Sequence, residues 1–141
     1  GRLAEKTARC CRHLTGIDIS AKTIERAKEN LQRFANVSLI CDDFMTHQFT
    51  ETFDVIYSSL TMMHFEDKRR VMGKINSLLS SKGLLCLSID KNQSEWIDMG
   101  SRRIRVFPDT PESITAFAGQ AGLKTKKINE IENAYLITIV K

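Results

Sequence analysis

Two acidic residues, Asp18 and Asp43, each follow a short apolar run in this sequence. If those runs are parallel strands, both carboxylates lie at the carboxyl edge of a sheet, where ligands of such folds bind. A carboxylate there, directly before a helix, can accept hydrogen bonds from both hydroxyls of a ribose. Asp18 therefore indicates a nucleotide-type ligand, although an Asp in this position also serves as an ordinary turn or capping residue.

Polar side chains also mark the ends of the next two apolar runs and the segment between them. Ser58 and Ser59 end the run FDVIYSS, Asp90 ends a later one, and His64 stands between them. An imidazole titrates near neutral pH, so His64 is the candidate general base. The alternative is a structural histidine that packs against the neighbouring helix.

The four cysteines, Cys10, Cys11, Cys41 and Cys86, form no C-x-x-C pair and show no metal-ligand spacing. We therefore expect no metal site and no disulfide framework. The pattern is typical of reduced, mostly buried thiols in a cytoplasmic protein.

Length and composition limit the class of protein. The 141 residues are 42% hydrophobic and 27% charged, typical of one globular domain rather than a disordered or collagen-like chain. No apolar run approaches the roughly 20 residues of a membrane-spanning helix. The formal charge of +4 is too weak to favour nucleic acid as a partner.

Apolar periodicity predicts strands that alternate with helices. The predicted strands are residues 13–18, 37–41, 53–58, 84–89, 124–131 and 134–140. Helical patterns cover residues 4–12 and 67–79, and two further helices begin after the capping residues Ser20 and Thr110. This alternation indicates an α/β fold with a mostly parallel sheet, and the last two strands form an antiparallel hairpin.

Residues 91–108 break this rhythm, being polar and basic without a clear period. We expect them to be irregular. Arg102, Arg103 and Arg105 in this segment suit an acceptor that bears a carboxylate or phosphate. The alternative is a solvated face without a ligand.

Five segments resemble a known family when taken in order: TGIDIS, AKTIERAKENL, VSLICDDF, FDVIYSSLTMMHF and INSLLSSKGLLCLSI. They closely resemble the class I S-adenosylmethionine-dependent methyltransferases, and the resemblance covers nearly the whole chain. It implies a Rossmann-like, doubly wound, mostly parallel sheet with an antiparallel C-terminal hairpin. It also implies S-adenosylmethionine as the cofactor.

The resemblance assigns the nucleoside part of the cofactor to the first two strand ends. Asp18 matches the acid that binds the ribose hydroxyls, and Ile19 follows it. Asp43 matches the acid near the adenine amino group, and Asp42 is the neighbouring alternative. Phe44 would pack against the adenine ring or offer its backbone amide.

Other positions match the methionine side of the cofactor and the family's glycine-rich turn. Ser58, Ser59 and Leu60 match the segment that borders the methionine moiety. Gly1 is at most the last glycine of a G-x-G-x-G turn, because the family's first strand and the rest of that turn are missing. We therefore expect residues 1–141 to be a single methyltransferase-like domain that lacks its first strand, roughly its first 40 residues.

Methyl transfer from a sulfonium is an in-line displacement with an activated leaving group, so the protein mainly binds, aligns and excludes water. We expect a small-molecule acceptor, whose identity and methylated atom the sequence leaves open, as it does the oligomeric state. One alternative is an RNA or protein methyltransferase, which predicts a basic patch with exposed aromatic side chains. Another is a non-catalytic domain or a different nucleotide-binding domain, such as the cofactor half of a dehydrogenase.

Overall fold

The computed structural model describes residues 2–141, so Gly1 lies outside the described residues. The chain divides into two compact units, one ending at Gln48 and the other spanning Phe49–Lys141. The interpretation of residues 1–141 as one domain, with a missing strand upstream, stays a prediction. Across residues 2–141, no helix is long and apolar enough to cross a membrane.

The first unit is a two-stranded parallel sheet with two helices. Strand β1 pairs with β2 in register from Leu14 opposite Val37 to Asp18 opposite Cys41. The predicted cap is confirmed, because Ser20 accepts a hydrogen bond from the Thr23 backbone N–H at 3.3 Å. The elements are α1 (Arg2–Ala8), β1 (Leu14–Asp18), α2 (Ala21–Leu31) and β2 (Val37–Cys41).

The second unit contains a four-stranded sheet in the order β3-β4-β8-β7. Strand β3 is parallel to β4, and the other two pairings are antiparallel. The elements are β3 (Phe53–Ser59), a one-turn 3-10 helix (Met62–His64), α3 (Lys68–Leu78), β4 (Leu79–Asp90), β5 (Trp96–Asp98), β6 (Arg103–Arg105), α4 (Pro111–Gln120), β7 (Lys124–Glu130) and β8 (Ala134–Val140). The α/β fold and its antiparallel C-terminal hairpin are confirmed.

One face of the four-stranded sheet forms the core of the second unit. Leu85, Leu87 and Ile89 of β4 are buried, whereas the residues between them are half-buried. The continuous apolar run of residues 84–89 predicts a strand buried on both faces, but the alternation shows that only one face of β4 is fully covered. The apolar stripe of α3 is buried, and so are Ile114 and Ala118 of α4. The buried apolar residues of α3 are Val71, Met72, Ile75 and Leu78.

Strand β4 begins five residues earlier than residues 84–89 predicted, directly after α3. Leu79 pairs with Phe53, and the register shifts before Val55 meets Leu84. An added Cβ on Gly83 would lie 2.8 Å from Leu79 Cβ, so only glycine fits this irregularity. The apolar run predicts the strand only from residue 84, but residues 79–83 also belong to β4 and contain a local irregularity.

The segment 91–108 is not wholly irregular, because β5 and β6 form an antiparallel pair within it. The Met99 N–H donates to the Arg102 carbonyl at 2.8 Å, and Gly100 has a φ of +83°. Both strands are three residues long, too short to produce a detectable period.

All four cysteines are free, but Cys10 and Cys41 are exposed and the other two are half-buried, so the expectation of mostly buried thiols was wrong. Strand β7 lies at the edge of the four-stranded sheet, and Lys124, Lys126 and Lys127 on it are exposed.

Candidate functional site

In the first unit, the carboxyl ends of β1 and β2 bring the predicted acids together. The Asp42 N–H donates to the Asp18 carbonyl at 3.1 Å, which joins the two strand ends. Asp18 Oδ1 accepts a hydrogen bond from the Ser20 N–H at 2.8 Å, which fixes the carboxylate beside the start of α2. Within the described residues, Asp18 Oδ2 has no partner, so it can accept hydrogen bonds from a ligand.

The two neighbouring acids after β2 are held differently. Asp42 Oδ1 accepts from the Asp43 N–H, and Asp42 Oδ2 lies 2.8 Å from His47 Nδ1. Asp43 Oδ1 accepts from the Met45 N–H at 2.7 Å, whereas Asp43 Oδ2 has no hydrogen-bond partner among residues 2–141. These bonds engage both carboxylate oxygens of Asp42 but only one of Asp43. Asp43 Oδ2 is therefore open to a ligand.

An apolar surface accompanies these carboxylates. Ile19, directly after Asp18, is 73% exposed, which is unusual for an isoleucine. Phe44 follows Asp43 and is half-buried. Carboxylates beside an exposed aliphatic side chain suit a ligand that combines hydroxyl and amino groups with a flat ring. The predicted contact of Gly1 lies outside the described residues.

In the second unit, β3 ends at Ser59, and Leu60 begins a tight hydrogen-bonded turn. The Leu60 N–H donates to both the carbonyl and the hydroxyl of Ser88, at 3.0 and 3.1 Å. The Ser88 hydroxyl in turn donates to Ser59 Oγ at 3.1 Å. Leu60 has a φ of +52°, a left-handed conformation that costs free energy for a residue with a Cβ. These bonds to Ser88 hold Leu60 in that conformation.

His64 lies in the 3-10 helix after this turn and is exposed. Its backbone N–H donates to the Thr61 carbonyl at 3.0 Å. Within residues 2–141, no carboxylate accepts a hydrogen bond from its ring, so the structure fixes neither tautomer nor orientation. Over the same residues, no group of three or more His, Cys, Asp or Glu side chains is arranged to hold a metal ion.

A buried ion pair joins α3 to the segment before α4. Lys68 Nζ lies 3.1 Å from Asp109 Oδ1, and both residues are 5% exposed. The ammonium group also donates to the carbonyls of Met62 and Phe107. Burial lowers the pKa of Lys68 and raises that of Asp109, and the partner's charge opposes each shift.

The sequence pattern indicates neither this ion pair nor the role of Ser88. Lys68 and Asp109 are 41 residues apart, and Lys68 belongs to a basic run that is typical of a solvent-facing helix start. No local pattern marks either residue. Ser88 was missed because it lies inside an apolar strand.

Comparisons with known proteins identify the family of this chain and agree with its fold. The family model for a methyltransferase domain matches residues 1–87, more than half of the chain. An uncharacterized methyltransferase of Mycobacterium tuberculosis is 31% identical over 90 residues, which are 62% of this chain and 44% of that protein. A malonyl-[acyl-carrier protein] O-methyltransferase of Ilyobacter polytropus is 30% identical over 78 residues, 55% of this chain and 29% of that protein. The chain thus spans less than half the length of these relatives.

Solved structures share the fold over nearly the whole chain. The N-methyltransferase NodS of Bradyrhizobium japonicum, in complex with S-adenosyl-L-homocysteine, has a TM-score of 0.79 at 20% identity. The match covers 99% of this chain and 72% of the NodS chain. An S-adenosylmethionine-dependent methyltransferase of Clostridium acetobutylicum has a TM-score of 0.79 at 12% identity, covering 99% and 79%. With the family match over residues 1–87, the chain belongs to the methyltransferase domain family.

Proposed function

We propose that this chain belongs to a cytoplasmic enzyme that transfers a methyl group from S-adenosylmethionine to a small-molecule acceptor. The family match over residues 1–87 is the observation that carries this proposal. The four unpaired cysteines favour the cytoplasm. The methylated atom stays open, because one relative is named an O-methyltransferase and a structural neighbour an N-methyltransferase.

The residues at the edge of the first unit fit the nucleoside part of this cofactor. Asp18 Oδ2 would accept hydrogen bonds from the ribose hydroxyls, since Oδ1 is already held by the Ser20 N–H. Asp43 would accept from the adenine amino group, with Asp42 as the neighbouring alternative. Ile19 and Phe44 would pack against the adenine ring, which explains why a 73% exposed isoleucine stands there.

In the second unit, we assign Ser58, Ser59 and Leu60 to the methionine part of the cofactor. The Ser88 hydrogen bonds that fix Leu60 would keep this segment from adjusting when a ligand binds. Such rigidity matters because an in-line displacement requires the reacting atoms to be aligned before reaction.

The cofactor supplies an activated methyl group on a positively charged sulfur, so the protein's task is binding, orientation and exclusion of water. A protein base is needed only when the acceptor atom carries a proton that it does not lose readily. We propose His64 for that role.

Isothermal titration calorimetry with S-adenosylhomocysteine tests the proposal. Asp18→Asn keeps an oxygen for the Ser20 N–H but removes the charge, and we expect a loss of affinity of about 10- to 100-fold. Asp43→Asn should have a similar effect, and Asp42→Asn tests the neighbouring alternative. Glu25→Gln, an exposed carboxylate on α2, is the matched control and should leave affinity unchanged.

Reduced nicotinamide cofactor serves as the competing ligand in the same titrations. A folded chain that binds it and not S-adenosylhomocysteine would contradict the proposed function and favour a dehydrogenase-type domain. If S-adenosylhomocysteine binds with unchanged affinity to Asp18→Asn, Asp43→Asn and Asp42→Asn, only the assignment of these residues is contradicted.

A further inference from the structure

The second unit contains a small cavity beside the end of β4. Its volume is about 30 Å³, which accommodates one or two groups the size of a water molecule. Its apolar lining includes Leu60, Met62 and Ile97, and its charged lining is Asp90 and Asp109. A cavity of this size takes the head group of a ligand rather than a whole molecule.

The two carboxylates differ in their electrostatic state. Asp109 is neutralised by Lys68, which lies 3.1 Å away and is buried with it. Within the part of the chain that the structure describes, Asp90 Oδ1 accepts only the Asn92 N–H, at 2.8 Å. Among residues 2–141, no cation lies within ion-pair distance of Asp90, and its Oδ2 accepts no hydrogen bond. The cavity therefore carries one uncompensated negative charge.

None of the arginines at the neighbouring hairpin lines the cavity. Side chains alternate along a strand, so Ile97 lines the cavity while Trp96 points to the opposite, exposed face. Arg103 is stacked on Trp96 at 4.9 Å, and Arg105 lies 5.4 Å from the centre of the Phe107 ring. Among the residues that the structure describes, no lysine or arginine lines the cavity, so a carboxylated or phosphorylated acceptor, one interpretation of this basic segment, would lack a cation there.

We propose that this cavity binds the amino group of the methyl acceptor, with Asp90 Oδ2 accepting its N–H. The proposal rests on the proposed function and names its substrate class as small amines. Met62 and Ile97 contact the alkyl part next to the amino group. An ammonium group satisfies both the charge of Asp90 and its unused acceptor, which a hydroxyl does only in part.

Amide chemical shifts of the ¹⁵N-labelled chain test the proposal, with n-butylammonium chloride as the probe and sodium butyrate as the anionic counterpart. The ammonium salt should shift the amides of Leu60, Asp90 and Ser94 in a saturable manner, whereas butyrate should not. Asp90→Asn keeps the bond from the Asn92 N–H, so the fold is preserved, and should weaken butylammonium binding at least about 10-fold.

Asp98→Asn is a closely matched control. Asp98 Oδ1 accepts the Gly100 N–H at 2.8 Å, as Asp90 does with Asn92, but Asp98 is exposed and does not line the cavity. This variant should bind butylammonium as the wild type does. Equal binding by Asp90→Asn, or stronger binding of butyrate than of butylammonium, would overturn the proposal.

Titration with S-adenosylhomocysteine separates this inference from the proposed function. If S-adenosylhomocysteine binds but butylammonium does not, the enzyme class stands, and the proposal that the cavity binds an amino group is refuted. If butylammonium binds through Asp90 but S-adenosylhomocysteine does not bind at all, the methyltransferase proposal fails. The cavity then loses its role as an acceptor site.

Discussion

Replacing Lys68 with methionine should strongly destabilise the second unit. Methionine is similar in length and apolar, so the aliphatic packing of the lysine is retained while its charge is removed. Asp109 is then left 5% exposed without a counter-ion, and the carbonyls of Met62 and Phe107 each lose a donor. Removing one partner of a buried ion pair costs about 3–5 kcal/mol, and we expect a loss in that range near neutral pH.

The pH dependence of this loss identifies its cause. Burial already raises the pKa of Asp109, while Lys68 lowers it, so removing Lys68 raises this pKa further. A carboxyl whose pKa is higher in the folded than in the unfolded chain stabilises the fold below its unfolded pKa, and this stabilisation is lost as pH rises through the folded pKa. The destabilisation of Lys68→Met should therefore be smaller near pH 5 than near pH 8.

Urea unfolding at both pH values, followed by circular dichroism, measures these effects. The double variant Lys68→Met with Asp109→Asn removes the unpaired charge and should recover at least about 1 kcal/mol relative to Lys68→Met. Lys82→Met, at an exposed position, should change stability by less than about 0.5 kcal/mol. A loss under about 1 kcal/mol for Lys68→Met, or one independent of pH, would refute the reasoning.

Two further predictions concern a glycine and a histidine. Gly83→Ala would place a Cβ 2.8 Å from Leu79 Cβ and 2.9 Å from the Ser80 carbonyl oxygen, so we expect thermal unfolding to reveal a loss of about 1–3 kcal/mol. Gly73→Ala in α3, where nothing lies within 4 Å of the new Cβ, should instead stabilise by about 0.5–1 kcal/mol, and equal effects would contradict this account. His64→Gln should lower methyl transfer about 10²- to 10⁴-fold if His64 is the base, while calorimetry shows unchanged binding of S-adenosylhomocysteine. Unchanged turnover would remove His64 from the mechanism.

Much of the fold could be predicted because its signals are local. The α2 helix begins after Ser20 and α4 after Thr110, where the side chain of each capping residue satisfies a backbone N–H of the first turn. The strands β2 and β8 have the predicted bounds, since each apolar run ends abruptly in polar residues. Strands β5 and β6 were missed because their pairing depends on a turn at Gly100 rather than on a period.

The site was predictable where it depends on the ends of strands and not where it depends on tertiary contacts. The carboxyl ends of β1 and β2 meet because parallel strands end at one edge, so Asp18 and Asp43, with Asp42 as the alternative, could be placed at that edge in advance. The left-handed Leu60 is stabilised by Ser88, which is 28 residues away. Asp90 was visible as a strand end, but the negative charge of its cavity depends on which acid Lys68 neutralises.

The three lysines on β7 have a consequence for how this chain behaves at high concentration. The outer edge of β7 presents backbone N–H and C=O groups that are unpaired in the sheet. A strand of another chain could form hydrogen bonds with them. Lys124, Lys126 and Lys127 would bring like charges together in any such cross-chain ladder, and the long ammonium-bearing stems resist desolvation. Edge-to-edge aggregation through β7 is thereby opposed, and conditions that neutralise lysine, such as acetylation or strongly alkaline buffer, remove this protection.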